Sequence, residues 1–203
     1  MIIVPRGIHP YVQTLCQKII AEENPWWVPV KPEFGVQENE CFLNVANRVK
    51  NEGGKIQHGW CIWERPGFFV EGEFHSIWIS PSGEELDITP KADEEEKILF
   101  LPDHNRIFDE EKFERIDNIR MAVNKHPIVQ KFLDTMAEYN AWKESCSDPN
   151  NPQLMNPDSA KVMAYEQKVA LLEMQMLELP VGRNDICRCG SGKKDKKCCM
   201  KSG

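Results

Sequence analysis

The chain has 203 residues, of which 41% are hydrophobic and 28% charged, and its formal net charge is −7. That composition suits one soluble domain with a real core, or one domain and a small appendage. No apolar run approaches the roughly 18–20 residues of a membrane span. The opening MIIVPRGIHPYVQTLCQ lacks the basic start and apolar segment of a signal peptide, so a cytoplasmic protein is expected.

The first stretch, Pro10 to Glu23, spaces Val12, Leu15, Cys16, Ile19 and Ile20 at helical intervals. NPWWVPVKPEFG follows, with three prolines, and reads as an irregular loop. CFLNVANRVKNE predicts a helix from Cys41 that stops at Gly53 and Gly54. The period then changes to two. KIQHGWCIWE, GEFHSIWIS and EELDITP predict strands, with turns at Pro66-Gly67 and SPSGE, and EKILFLPD predicts another. Helical spacing returns over DEEKFERIDNIRMAVNK from Asp109 and again over HPIVQKFLDTMAEYNAWKE. SCSDPNNPQLMNPDS reads as a polar linker. The last helix, DSAKVMAYEQKVALLEMQMLEL, is capped at Asp158 or Ser159 and stopped by Pro180.

Helix, small antiparallel sheet, helices and tail make an α+β arrangement. Its expected parts are a body over residues 1–145, a linker and helix over 146–181, and a distinct tail over 182–203. Met163, Leu171, Leu172, Met174, Met176 and Leu177 form a stripe that reads as the buried face of the last helix, with a partner surface as the alternative. Trp60, Trp63, Trp78, Phe68, Phe69 and Phe74 crowd the strands and are expected to build the core of the sheet rather than line a cleft.

Charge is unevenly spread. Residues 182–203 hold seven Lys/Arg and two Asp/Glu, against 18 and 30 in the rest, so a +5 tail follows a −12 body. The tail reads GRNDICRCGSGKKDKKCC, with cysteines at 187, 189, 198 and 199. Two close pairs joined by a short loop suit the tetrahedral thiolate set of Zn²⁺. Gly190 and Gly192 supply the turn, and Lys193, Lys194, Lys196 and Lys197 offset the charge of a tetrathiolate site. Disulfides or free thiols are the alternative, but adjacent Cys198 and Cys199 pair badly and a reducing compartment disfavours them. With an acidic body and basic residues gathered beside a charge-demanding site, the pattern argues against a nucleic-acid partner.

This tail resembles the SEC-C motif, the zinc-binding C-terminal segment of the SecA translocation ATPase, which recurs at the ends of many unrelated bacterial proteins. Cys187, Cys189, Cys198 and Cys199 fall on its four ligand positions, and Gly182, Arg183, Asn184 and Asp185 match its lead-in. Ile186 replaces the usual proline. The resemblance implies a Zn²⁺ cofactor and a protein-binding module, since the SecA tail docks on the chaperone SecB and on ribosomes. No GxxxxGK[ST] phosphate loop accompanies it.

The body holds a second constellation. Cys41 opens a predicted helix, His75 lies in one predicted strand and Asp87 in the next. A helix N-terminus stabilises a thiolate, a histidine can exchange its proton, and an acid can orient the histidine. Gln37 or Asn39 is placed to donate to an oxyanion, and Asn44 shares the Cys41 side of the helix. ECFLN, HSIW and ELDITP resemble the signatures of papain-like and transglutaminase-like cysteine hydrolases and acyltransferases. That resemblance implies their fold, with Cys41 as nucleophile, His75 as general base and Asp87 as orienting acid. The alternative is a body that only binds, making the protein a zinc-containing adaptor for a chaperone or ribosome-associated partner; Cys41, His75 and Asp87 would then be structural. Cys16, Cys61 and Cys146 are expected to be structural, and His58 and His104 receive no role.

Overall fold

The computed structural model describes residues 1–33, 35–91, 95–109, 115–148 and 150–201. It is a mixed α+β structure that divides into two compact units, residues 1–64 with 71–108, and residues 65–70 with 109–203.

The first unit contains α1 (Pro10–Ile19), β1 (Trp26–Pro29), α2 (Cys41–Glu52), most of β2 (Lys55–Arg65) and β3 (Phe69–Ile79), β4 (Glu85–Leu86) and β5 (Lys97–Pro102). The strand order is β1-β5-β2-β3-β4. β1 runs antiparallel to β5 from Trp26↔Phe100 to Pro29↔Lys97, and β5 to β2 with Cys61 opposite Phe100. Asp87 then nearly closes the sheet. Its N–H donates to Pro29 O at 3.0 Å and its carbonyl accepts from Lys31 N–H at 2.8 Å, making a parallel bridge with Val30.

Side-chain alternation splits this sheet into two faces. One carries Val28, Cys61, Ile77, Ile98 and Phe100 as a fully buried cluster, with Trp26 and Trp63 packed against it. Glu73 and His75 share that face of β3, four and two residues before Ile77. The other face carries Trp78, Leu86 and Ile88, packed against Val45 and Val49 of α2. Trp60, Phe74 and Trp78 are buried, as expected of core aromatics.

The second unit contains the tip of the β2–β3 hairpin, β6 (Ile119–Ala122), α3 (Pro127–Glu144), the hairpin β7 (Ser147–Asp148) with β8 (Asn151–Met155), α4 (Ser159–Leu177) and the cysteine tail. Phe68, Phe69, Val129, Phe132, Leu133, Leu172 and Met176 form its core. Tyr165 of α4 stacks on Tyr139 and Trp142 of α3, with ring centroids 5.1 and 5.5 Å apart. Asp158 caps α4 by accepting from Lys161 N–H at 2.8 Å.

Four readings of the sequence need correction. The proline-rich stretch after α1 is not all loop. Pro25 and Pro29 bracket a Trp-Trp-Val run whose backbone finds β5, and β-forming side chains decide it; Phe34, later in that stretch, lies outside the described residues. The helix expected over Asp109–Lys125 is absent where described. Residues 110–114 lie outside the description, and Ile119–Ala122 is a strand, continued by Val123 and Asn124 N–H groups that donate to Phe68 O. A ladder partner overrides helical spacing there. The linker after α3 contains the β7–β8 hairpin, although Pro149 lies outside the described residues. Finally, the Met/Leu stripe is split. Leu172 and Met176 are buried, but Met163, Leu171, Met174 and Leu177 are exposed, because only a narrow face of α4 meets the core.

Gly54 marks the tightest backbone approach in the first unit. Its φ is +89°, and a Cβ there would lie 2.2 Å from Ile79 O and 2.9 Å from Trp78 Nε1. Gly54→Ala should therefore cost roughly 2–4 kcal/mol through strain and overpacking. A urea midpoint unchanged from wild type would contradict this placement.

Candidate functional site

Asp87 is fully buried beyond the end of β4 and accepts three hydrogen bonds. Its Oδ1 takes the N–H of Thr89 at 3.0 Å, and its Oδ2 takes His75 Nε2–H at 2.9 Å. The same Oδ2 takes the ammonium of Lys91 at 2.6 Å. Burial alone would raise the Asp87 carboxyl; His75 and Lys91 outweigh it and hold the pKa at about 2. Burial likewise opposes charge on His75. Asp87 and Cys41 outweigh that penalty and raise the imidazole to about 10, with Lys91 pulling the other way. The pair is therefore imidazolium and carboxylate at neutral pH.

Cys41 is 6% exposed and is the first residue of α2. Electrostatic interactions link Cys41 to both His75 and Cys61, which places it in the neighbourhood of the pair. Among the described residues no hydrogen bond joins Cys41 to His75. The start of α2 is instead tied to the pair through Asn44, whose Nδ2 donates to Gln37 O at 2.8 Å and to Thr89 Oγ1 at 3.2 Å. Thr89 is the residue whose N–H holds Asp87. Phe42 and Val45 pack against Phe74 and Trp78, on the opposite face of β3 from His75. The helix is thus not laid over the His75 face, and its first turn reaches Asp87 by way of Thr89. A cleft of about 440 Å³ runs along α2 past Gln37, Glu40, Leu43 and Asn44. Asn39 has φ +63°, a left-handed conformation that asparagine tolerates better than most residues.

The other body cysteines are Cys16, Cys61 and Cys146. Burial pushes Cys16 up to about 12 and Cys61 well above its ordinary range, and Cys146 spends its thiol on Trp142 O at 3.3 Å. His58, which the sequence left without a partner, sits 2.7 Å from Ser76 Oγ, and burial lowers its pKa.

In the tail, the four sulfurs of Cys187, Cys189, Cys198 and Cys199 all lie within 4.8 Å of one another. Four thiolates about 2.3 Å from one ion stand about 3.8 Å apart, so the cluster is close to the spacing a tetrahedral site requires. The fold of the tail explains the convergence. Cys187 N–H donates to Lys193 O at 2.8 Å, and Gly190 and Gly192 turn the chain with φ of +76° and +67°. A 3-10 turn at Asp195–Lys197 then delivers Cys198. The lead-in is built into the same unit, because Asp185 O accepts from Asp195 N–H and Arg183 O from Lys196 N–H, at 2.9 and 3.1 Å. The hydroxyl of Ser191, first among several influences, lowers Cys189 to about 6. Arg188 anchors the knuckle within its own unit: its guanidinium donates to Leu177 O and Leu179 O and lies 4.5 Å over the Phe68 ring.

Sequence reasoning missed Lys91 and Thr89. Both follow Asp87 within four residues, in DITPK, and that proximity was the available signal.

No family model matches the chain. Segments of it are similar to the protein translocase subunit SecA of three bacteria. Identity to the Syntrophomonas wolfei protein is 27% over 119 residues, covering 51% of this chain and 14% of that protein. For Bacteroides fragilis it is 38% over 63 residues, covering 31% and 5%, and for Brachyspira hyodysenteriae 32% over 71 residues, covering 35% and 7%. The chain therefore spans a small fraction of the length of these relatives. No solved structure matches. Together with the four-cysteine cluster, the SecA similarity is consistent with a SEC-C-like motif able to hold a metal ion. Among the described residues no helix is long and apolar enough to cross a membrane.

The His75–Asp87 pair makes a signed prediction about stability. The raised His75 contributes fully below its ordinary value of 6.5, and that contribution is lost as pH rises through about 10. The depressed Asp87 contributes above 3.8 and is lost as pH falls through about 2. Chemical denaturation from pH 6.5 to 10 should show wild-type stability falling more steeply than that of His75→Gln. Parallel curves would contradict the pairing.

Proposed function

We propose that the protein is a zinc-binding SEC-C protein whose first unit is a cysteine hydrolase or acyltransferase of papain or transglutaminase type. Cys41 is the nucleophile, His75 the general acid and base, and Asp87 the group that orients the ring. The observation that carries the reading is the buried His75–Asp87 hydrogen bond at 2.9 Å, tied through Thr89 and Asn44 to the helix turn that begins with Cys41. With Nε2 committed to Asp87, Nδ1 is the nitrogen that serves Cys41. In this chemistry the Cys41 thiolate adds to an acyl carbon, and the leaving amine or alcohol departs with the proton of His75. The resulting thioester is cleaved by water or an acceptor amine, which returns a proton to His75 as the thiolate leaves.

Cys187, Cys189, Cys198 and Cys199 hold one Zn²⁺, which supplies the folding energy of a segment with little core of its own. The basic knuckle recruits a protein partner, a chaperone or ribosome-associated surface by its likeness to the SecA tail, in the reducing setting of the cytoplasm. A second reading, a non-catalytic zinc-containing adaptor, is favoured by one observation: no hydrogen bond joins Cys41 to His75 among the described residues.

Two experiments test these statements. Elemental analysis of the purified protein should find about one zinc per chain, and a metal-free protein with intact reduced thiols would contradict the metal site. Mass-mapped alkylation near neutral pH should find Cys41 the fastest-reacting body cysteine, with a rate that falls in His75→Ala and less in Asp87→Asn. A Cys41 no faster than Cys61, or indifferent to His75→Ala, would leave the adaptor reading standing.

A further inference from the structure

Lys91 is a charged side chain only 10% exposed, and a buried ammonium is costly unless it is paired. Its partner is Asp87, which already has one in His75. Both donors use the same oxygen: His75 Nε2 stands 2.9 Å and Lys91 Nζ 2.6 Å from Asp87 Oδ2. The two nitrogens are 3.4 Å apart. Because each donates to Oδ2, that contact is an approach of like charges and not a hydrogen bond.

We propose that Lys91 is a positioning residue of the Cys41–His75–Asp87 set, sharing Asp87 Oδ2 with His75 so that the carboxylate is half neutralised and the imidazole remains able to release its proton. The inference rests on the hydrolase reading given above. Its logic is a charge count. Around the ring stand the carboxylate of Asp87, the sulfur of Cys41, the ammonium of Lys91 and, further along the same face of β3, Glu73; Cys61 is held neutral by burial. An imidazolium facing a thiolate and an unshared carboxylate would keep its proton through the step in which the leaving group needs it. Lys91 draws part of that field away while locking the carboxylate in place. The direction agrees with the opposing influence of Lys91 on the His75 value.

The test reads the protonation of His75 directly. In protein carrying ¹⁵N-labelled histidine, with the His75 signals assigned through His75→Gln, the ratio of neutral to charged ring is measured at pH 9.5. Removing a cation this close should raise the ring by about one unit, so in Lys91→Met the ratio should fall about tenfold. Lys91→Arg should restore it to within about twofold of wild type, whereas a merely structural role would change stability and leave the ratio alone. Should Lys91→Met not fold, Lys91→Gln, which keeps a donor to Asp87 without the charge, gives the same reading. A wild-type ratio in the folded uncharged variant overturns the proposal. The two readings fail separately: an unchanged ratio with His75-dependent alkylation of Cys41 removes Lys91 alone. A tenfold fall with alkylation indifferent to His75→Ala removes the hydrolase and leaves Lys91 regulating a charge that serves no reaction.

Discussion

Everything in the first unit turns on one buried carboxylate. The backbone of Asp87 bridges Val30 and nearly closes the sheet, and its side chain gathers Thr89, His75 and Lys91. A carboxylate with almost no exposure can remain ionised only if its lone pairs are filled by donors, two of them cationic. Closing the sheet and charging the site are therefore one event. Any change that opens the Asp87–Val30 bridge also releases the histidine, and any change that neutralises Asp87 leaves two cations facing each other 3.4 Å apart.

The tail obeys a different constraint. Four sulfurs within 4.8 Å of one another carry like charge once ionised, and the small knuckle offers little apolar burial to hold them. Its order comes from short-range backbone bonds, such as those of Asp195 and Lys196 to the lead-in, and from Arg188 gripping the carbonyls of Leu177, the last residue of α4, and of Leu179 just beyond it. A guanidinium on the Leu177 carbonyl also satisfies one of the acceptors that a helix end leaves open. Residue 188 lies between two cysteines of the cluster, so the segment that would hold a metal is also the segment that fastens the knuckle to its own unit.

How much of this could be read from sequence depended on the range of the forces involved. The strands β2 and β3 announced themselves because alternation and the Pro66-Gly67 turn are local. The cysteine cluster was legible because its four members lie within thirteen consecutive residues, 187–199. The strands β1 and β6 were not, since each is made by a partner distant in the chain: β5 for Trp26–Pro29, and β3 for Ile119–Ala122. The meeting of His75 with Asp87 was anticipated from element order, but Lys91 was passed over, because a template of nucleophile, base and acid leaves no place for a second cation. The exposure of Met163 and Met174 was missed for a similar reason: hydrophobic spacing marks a face without saying how much of it finds a neighbour.

The central claim is that Cys41 and the Asp87-held His75 form one reacting unit. Intact-mass and stopped-flow measurements with an activated acyl ester such as p-nitrophenyl acetate test it most directly. The account predicts a burst of about one nitrophenol per chain, an acyl group mapped to Cys41 that is later hydrolysed, and loss of the burst in Cys41→Ser and His75→Ala. An acyl group distributed over the tail cysteines, or a burst that survives His75→Ala unchanged, would contradict it.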